Sequence, residues 1–566
     1  MKMTGAKILM ECLVEQGVDT IFGYPGGTIL NVYNALYDYS DRIHHYLTSH
    51  EQGASHAADG YYRATGRPGV CMATSGPGAT NLTTGIATAY YDSSAVVFIT
   101  CNVSENLLGK DAFQEVDITG IAMPITKATY LVDDVTKLAD IVREAFYLAT
   151  NGRPGPVLID ILKNVTAEEA EYTFVPKEQH TEIERLRKLI ARNERGFKST
   201  ATKPECINKA VEILSNAQKP VILVGGGVIR SGAEQEVIAM AERLDAVVCS
   251  TTMGLGAVPG DHPLFVGFAG MHGRKAANVA ISECDVLFAI GTRFSDRVAL
   301  HPESFASNAK IIHLDIDRAE IGKNVPVYRP LIGDAKQVLN KLLPQIAQQS
   351  HTDWVAEIRA QVTEPYNRTG SFEPFEILQT VEKVTNGEAT IVTDVGQHQM
   401  WSAQFYTYRR PCQFITSGGF GTMGFGYGAA MGAKVGDPSK IVIHTTGDGC
   451  FRMNCHELAT SQHYGIPVIT IVFDNGTLGM VRQWQTLLYD KRYSATTLDR
   501  GPDFVKLAEA YGLPGYRATN VTEFEQALRA AIDGGTAAVI DCMLDIDEVV
   551  RPMVPGGAPL TGFILE

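Results

Sequence analysis

Short apolar runs recur along the chain, separated by longer segments with helix-like spacing of apolar and polar positions. The runs lie at 70–74, 96–100, 157–161, 221–224, 286–290, 311–316, 390–393, 441–444 and 468–473. They are rich in Val and Ile and apolar throughout, as in parallel strands covered by helices on both faces. Several end in Gly or Pro clusters where the next helical segment begins, the habit of doubly wound sheets. The predicted fold class is α/β, with three doubly wound parallel-sheet domains.

Two stretches interrupt the rhythm. Residues 168–199 are charged and short of apolar positions, and residues 346–372 turn polar again. Both read as inter-domain connections. They leave blocks at 1–167, 200–345 and 373–550, and a C-terminal tail, 551–566, that holds Pro552, Pro555 and Pro559. The first and third blocks are similar in length, and each has a Gly-rich turn after a strand. Residue identity alone shows no repeat between them.

Composition narrows the function. The chain has 566 residues, 45% hydrophobic and 20% charged, an ordinary soluble mix that excludes disordered and low-complexity classes. Lys and Arg total 49 against 63 Asp and Glu, a formal charge of -14. Such a surface repels nucleic acid and anionic membranes, so any bound phosphate should be held by backbone amides or a metal. No apolar run reaches the roughly 18 residues of a membrane span, and the first residues lack the basic, apolar pattern of a secretory signal. The ten cysteines form no CxxC pair and read as reduced core thiols. The expected location is cytoplasmic.

The most specific signal lies in the third block. A strand ends at Gly447-Asp448-Gly449, and a second strand, 24 residues further on, ends at Asp474-Asn475. Adjacent parallel strands would bring Asp448 and Asn475 to one sheet edge, where ligands bind. A carboxylate and an amide oxygen suit Mg²⁺, which keeps its other positions for phosphate and water. Gly447 and Gly449 let the backbone approach closely. A lone Gly-Asp-Gly is an ordinary turn; with this spacing and strand context it is the thiamine-diphosphate motif. Thiamine chemistry also needs a carboxylate against the aminopyrimidine, in a dry site that favours a shared proton. In the first block Glu51 opens a small-residue helix after an apolar strand. By itself it reads equally well as a solvated helix-start acid, but beside the metal motif it is the choice.

Longer runs then carry a resemblance over nearly the whole chain: 23–27, 51–60, 74–81, 111–115, 270–273, 313–324, 394–401 and 478–485. The sequence resembles the large catalytic subunits of the acetohydroxyacid (acetolactate) synthases. The resemblance implies a pyrimidine-binding first domain, a central FAD-binding domain and a diphosphate-binding third domain. It implies that Val395, Gly396, Gln397 and His398 cradle the diphosphate and that the carbonyl of Thr477 is a third Mg²⁺ ligand. Met423, after Gly421, would wedge the cofactor into its bent form, and Gln114, Gly26 and Gly27 would line the space above the thiazolium. For FAD it implies Arg153, Gly225, Gly226, Met271, His272, Gly273, Arg293, Asp315, Ile316 and Asp334; the glycine triplet 225–227 is otherwise only a common turn.

The implied activity is that of a biosynthetic acetolactate synthase, which decarboxylates pyruvate and ligates the hydroxyethyl unit to a second pyruvate or to 2-ketobutyrate. Arg297 would grip the acceptor carboxylate, since a guanidinium is planar and bidentate; the plainer reading is a surface ion pair with Asp296. Trp484 would contact the ethyl group of 2-ketobutyrate. The implied assembly is a homodimer or homotetramer with a small regulatory subunit. Two departures stand near the substrate channel: 101–104 reads Cys-Asn-Val-Ser where the family has Gly-Gln-Val-Pro, and 294–296 reads Phe-Ser-Asp for Phe-Asp-Asp. The rival readings are a flavin-free catabolic synthase or a pyruvate-oxidase-like enzyme, a nucleotide-dependent oxidoreductase built on 225–227, and a non-catalytic assembly protein. The second leaves Glu51 and Asp448 unexplained, and the third leaves every catalytic position filled without purpose.

Overall fold

The structure, a computed structural model, describes residues 1–182, 188–189, 203–362 and 372–564. Much of both connecting stretches, 183–187, 190–202 and 363–371, lies outside the described residues, as does the chain end 565–566.

Three six-stranded parallel sheets carry the fold, one for each block. The middle sheet runs Phe265–Phe268, Val247–Ser250, Pro220–Val224, Val286–Ile290, Lys310–Asp315, Arg329–Ile332. In chain order that is 3-2-1-4-5-6, the dinucleotide-binding arrangement, with its reversal between Pro220–Val224 and Val286–Ile290. The first sheet runs His44–Leu47, Thr20–Tyr24, Gly69–Ala73, Val96–Asn102, Val157–Leu162, Ala128–Val132. The third runs Phe414–Thr416, Thr390–Thr393, Val442–Gly447, Val468–Asp474, Ala538–Met543, Gly515–Ala518. Both are ordered 2-1-3-4-6-5. The first and third domains therefore share a topology that residue identity did not show.

The apolar runs form strands as expected, because each is buried on both faces: every residue of Val96–Asn102, Val157–Leu162 and Val286–Ile290 is buried. The second connecting stretch is not wholly a connection. Thr352–Arg359 form a helix whose Trp354 and Ile358, four residues apart, enter the core on one face of the middle sheet. Met553, Val554 and Leu560 of the tail enter the same core. All ten cysteines are free, and among the described residues no helix is long and apolar enough to cross a membrane.

The first and third domains meet through two helices, Glu51–Thr65 and Phe425–Gly436. A Cβ on Gly60 would overlap the Ala429 carbonyl, and one on Gly432 would overlap that of Ala57. Only hydrogen at these positions permits so close an approach. Buried Arg63 fastens the seam, pairing with Asp59 at 2.7 Å and Asp92 at 3.1 Å while donating to the Thr416 carbonyl.

Candidate functional site

At the carboxyl edge of the third sheet, three neighbouring strands deliver the predicted residues together. Thr393 pairs with Thr445, and Gly447 pairs with Phe473. The turn 394–396, Asp448 and Asn475 thus leave one edge side by side. Asp448 opens the helix Asp448–Asn454, and its Oδ1 accepts the Gly449 N–H at 2.9 Å. Its Oδ2 is buried without a partner. Burial, with the Asp474 carboxylate next to it, pushes the Asp448 carboxyl well above the usual range. A buried, unpartnered carboxylate oxygen beside a second carboxylate and an amide is a fit for a small hard cation.

The turns around this edge need glycine. A Cβ on Gly447 would stand 3.0 Å from His398 Nδ1, and one on Gly449 would stand 2.7 Å from Leu478 and 3.9 Å from Met423 Cε. Met423 therefore lies near the Gly-Asp-Gly turn. Gly421 and Gly424 flank it in left-handed backbone, at φ 74° and 86°. His398 is buried, its Nε2 has no partner, and burial pushes its imidazole down to about 4, so it stands neutral beside the turn. The Gln397 side chain points elsewhere. Its Oε1 accepts from Asn475 Nδ2 at 3.1 Å, and its Nε2 donates to the Glu548 carbonyl at 2.7 Å. Its side chain is thus taken up by protein partners.

Sequence reasoning missed Asp394, which ends the neighbouring strand. It accepts from Gly426 N–H at 2.9 Å, Thr446 Oγ1 at 2.8 Å and His444 Nε2 at 2.9 Å. Burial pushes its carboxyl up, but His444 and the Gly426 N–H outweigh that and hold it below the ordinary value. It ties the start of Phe425–Gly436 to the metal edge. An acid directly before Val395 in the quoted run was the available signal.

A second cluster forms at the carboxyl edge of the first sheet. Glu51 opens its helix and is buried; its Oε2 accepts from Asn81 Nδ2 at 3.0 Å. A Cβ on Gly78 would come within 3.2 Å of Glu51 Oε1, and one on Gly26 would stand 2.5 Å from the Thr74 Cβ. One on Gly76 would stand 2.9 Å from Gln114, which adopts φ 60°. Gly27 faces open space. Glu51, Gly26, Gly27 and Gln114 thus gather around 74–78. Among the described residues, no hydrogen bond or ion pair joins this cluster to Asp448 or Asn475 of the same chain.

Between the three domains lies a cavity of about 560 Å³, at the carboxyl edge of the middle sheet where its strand order reverses. Arg153, Gly226, Arg293, Asp315, Ile316 and Asp334 line it, as does Arg297. Gly225 does not: a Cβ there would stand 2.7 Å from the Gly291 carbonyl carbon, so the glycine lets two loops cross at the reversal point. Arg153 donates to Ser93 Oγ at 2.8 Å and pairs with Glu320 at 2.8 Å. Burial pushes Asp315 up to about 7. Met271, His272 and Gly273 are buried beside the cavity rather than lining it; the Met271 N–H donates to the Arg297 carbonyl at 2.9 Å, and His272 Nε2 is without a partner. Thr251–Met253 and Cys412–Gly418 also supply lining that the sequence did not single out. An elongated, switch-point cavity edged by arginines and carboxylates fits a dinucleotide.

Arg297 is 67% exposed and paired with Asp296 at 2.9 Å, the plainer of its two readings. Trp484 is half-buried against the middle domain's core cluster that holds Met553 and Val554. No hydrogen bond links Arg297 to Trp484 among the described residues.

Two like-ordered domains flanking a dinucleotide-type sheet, with a carboxylate–amide edge in one and a buried acid in the other, define a thiamine-diphosphate enzyme. Comparison with known families agrees. The N-terminal TPP binding domain of the thiamine pyrophosphate enzymes matches residues 3–121, their central domain 207–342 and their C-terminal TPP binding domain 394–542. The chain is 41% identical to the acetolactate synthase large subunit of Haemophilus influenzae, over 100% of this chain and 98% of that protein. It is 44% identical to the large subunit of Corynebacterium glutamicum, over 98% and 89%, and 45% identical to the acetolactate synthase of Arthrospira platensis, over 98% and 96%. The chain belongs to the acetolactate synthase large-subunit family of thiamine-diphosphate enzymes.

Proposed function

We propose that the chain is the catalytic subunit of a biosynthetic acetolactate synthase, converting two pyruvates to 2-acetolactate, or pyruvate and 2-ketobutyrate to 2-aceto-2-hydroxybutyrate, with release of CO₂. Thiamine diphosphate, when bound, supplies the nucleophilic carbon and the electron sink that decarboxylation requires. The chain supplies the rest. Asp448 Oδ2, the Asn475 amide oxygen and the Thr477 carbonyl hold Mg²⁺. Main-chain groups of Val395, Gly396 and Gln397, with the neutral His398 imidazole, hold the diphosphate, as do amides at the start of Asp448–Asn454. Glu51 keeps Oε2 on Asn81 and leaves Oε1 to hold or release a proton toward the pyrimidine ring. Met423, placed against Gly449, shapes the cofactor; Gly26, Gly27 and Gln114 bound the reaction space.

The acceptor step needs a cation for a 2-ketoacid carboxylate, and Arg297 at the cavity mouth supplies it by leaving Asp296. Trp484 then meets the acceptor's alkyl group. The 560 Å³ cavity would hold FAD, with Arg153, Arg293 and Gly226 among the residues that would bind it. Glu51 and Asp448 lie in separate domains, and a site completed between two subunits would bring them together, so the active unit is a homodimer at least, with a tetramer as the larger option. The relatives' designation as large subunits supports a small regulatory partner. The location is cytoplasmic.

The observation that carries this reading is the unpartnered, buried Asp448 Oδ2 beside Asn475 at one sheet edge. Its test is product analysis from pyruvate, with and without 2-ketobutyrate, with thiamine diphosphate, Mg²⁺ and FAD supplied. Acetaldehyde or acetate in place of acetohydroxy acids would overturn it.

A further inference from the structure

Three buried amides and one stretch of main chain form a continuous hydrogen-bonded line that ends at Asn475. The line begins at Val550, in the segment that leads from the third domain into the tail. Val550 grips Gln483 at both ends: its N–H donates to Gln483 Oε1 at 2.9 Å, and its carbonyl accepts from Gln483 Nε2 at 3.0 Å. That double contact leaves the Gln483 amide one orientation. Its Oε1 then faces Gln397, whose Nε2 donates to it at 3.1 Å and also to the Glu548 carbonyl at 2.7 Å. With its nitrogen committed to two acceptors, Gln397 must turn its oxygen the other way. That oxygen accepts from Asn475 Nδ2 at 3.1 Å. Asn475 is left with its Oδ1 on the opposite side, toward the Thr477 N–H at 3.3 Å and away from Gln397.

Burial gives the line its force. Gln397 and Gln483 are 4% exposed and Asn475 8%, so water cannot substitute for a lost partner, and a reversed amide would set donor against donor. The backbone accommodates the line as well. A Cβ on Gly479, the first residue of the helix Gly479–Leu488 that carries Gln483, would overlap Gln397 Oε1 and stand 2.7 Å from Asn475 Nδ2. Glycine at that position is what lets the Gln397–Asn475 pair close.

An asparagine that ligates a hard cation must present oxygen, not nitrogen. We propose that Gln483 is a positioning residue for the metal: acting through Gln397, and itself clamped by Val550, it fixes the Asn475 amide with Oδ1 available for Mg²⁺. The proposal rests on the reading of Asn475 as a metal ligand. It also gives the tail a role. Three residues after Val550, Met553 is buried in the middle domain's core and lies 3.7 Å from Gln483 Nε2 through its sulfur. The packing of the middle domain is thereby linked to the orientation of a metal ligand in the third.

The test uses Mn²⁺ as probe, titrated into the full chain with saturating thiamine diphosphate, with free Mn²⁺ read from its EPR signal. Gln483→Met removes the amide's bonds to Val550 and Gln397 at similar volume, and Mn²⁺ affinity should fall ~10–100-fold, the usual cost of losing a group that orients a ligand. Gly479→Ala removes no donor or acceptor yet forces the Gln397–Asn475 pair apart, and should lower affinity by a similar factor. Val481→Ala, exposed on the same helix, should bind as the unaltered chain does. A cooperative melt and normal flavin content, measured in parallel, show that each of the three is folded. Asn475→Ala separates the two ideas. If it binds Mn²⁺ normally, the ligand assignment fails. If it binds weakly while Gln483→Met and Gly479→Ala, both folded, bind normally, Asn475 is a ligand and the positioning role is overturned. If Gln483→Met does not fold, Gly479→Ala alone decides.

Discussion

Glu457, in the third domain, accepts the backbone N–H of His50 in the first, at 3.1 Å. His50 immediately precedes Glu51, and the other oxygen of Glu457 accepts the Ser49 N–H at 3.0 Å. A fully buried carboxylate from one domain therefore anchors the two residues that lead into the helix opened by the proposed proton carrier in another, the helix itself being capped by His50 Nδ1. Burial pushes Glu457 up, opposed by Thr460 and the two N–H groups. Glu457→Gln replaces one acceptor by a donor facing a buried N–H. It should cost about 1–3 kcal/mol of stability and slow thiazolium proton exchange through the loosened Glu51. Melting curves and deuterium exchange at the cofactor's reactive carbon check the two effects. Unchanged exchange in a folded variant would confine Glu457 to a structural role.

The proposed site, completed by Glu51 of one subunit and Asp448 of another, predicts complementation. Glu51→Gln should keep thiamine diphosphate but lose most of its activation, and Asp448→Ala should lose metal and cofactor together. Mixed after subunit exchange, the two inactive proteins should regain part of the activity, because a hybrid dimer rebuilds one intact site from Glu51 of one subunit and Asp448 of the other. Exchange demonstrated by mass, with no recovered turnover, would place both residues in a site formed by a single chain.

The sheet edge that carries Asp448 and Asn475 was legible in the sequence because both of its signals are local: a Gly-Asp-Gly turn after one apolar run and an asparagine after the next. Several strands buried on both faces were legible for the same reason, though Val247–Ser250 and Ala538–Met543, the latter as buried but for Met543, were not singled out. Thr20–Tyr24, His44–Leu47 and Gly515–Ala518 were not, since they mix in polar or aromatic residues and two of them are sheet edges. The shared order of the first and third sheets is a property of pairing, and no residue encodes it. The reasons for Gly225 and Gly60 were hidden too, because their neighbours, Gly291 and Ala429, are distant in sequence. The same holds for the cavity walls at Thr251–Met253 and Cys412–Gly418, and for Gln483, which sits beside the noticed Trp484 and faces the other way.

Asp160 offers a pH prediction. It ends the hydrogen bonds of Thr100 Oγ1 at 2.7 Å and Asn102 Nδ2 at 2.8 Å, and burial pushes it up to about 6. Its folded value thus exceeds the unfolded one, near 3.9. Between the two the folded state holds the extra proton, so the stability this group contributes is complete below about pH 4 and is lost as pH rises through about 6. The loss is roughly 2–3 kcal/mol. Asp160→Asn cannot titrate, so the gap between the two proteins should shift in the variant's favour from pH 4.5 to pH 7 and then stay level. Melting temperatures across that range, measured in matched salt, test it. A constant gap would mean that Asp160 titrates alike in both states.

Trp484→Leu should lower the preference for 2-ketobutyrate over pyruvate as acceptor and leave the first decarboxylation largely intact. The first pyruvate reacts before the acceptor pocket is used, whereas the indole meets only the acceptor's extra methyl group. A contact of that kind is worth about 1–3 kcal/mol, or ~10–200-fold in discrimination. The indole also packs on the core that holds Met553 and Val554, so the leucine, which is smaller, must be shown to leave melting behaviour close to normal. Arg297→Lys should act differently. Both acceptors carry the carboxylate, so carboligation should slow with either one while the product ratio holds, because an ammonium lacks the bidentate grip of guanidinium. Competition between the two acceptors at fixed pyruvate, with both acetohydroxy acids quantified, separates these outcomes. An unchanged ratio in the Trp484 variant at comparable turnover would leave that residue a packing group between two domains, and a shifted ratio in the Arg297 variant would move acceptor choice to the arginine.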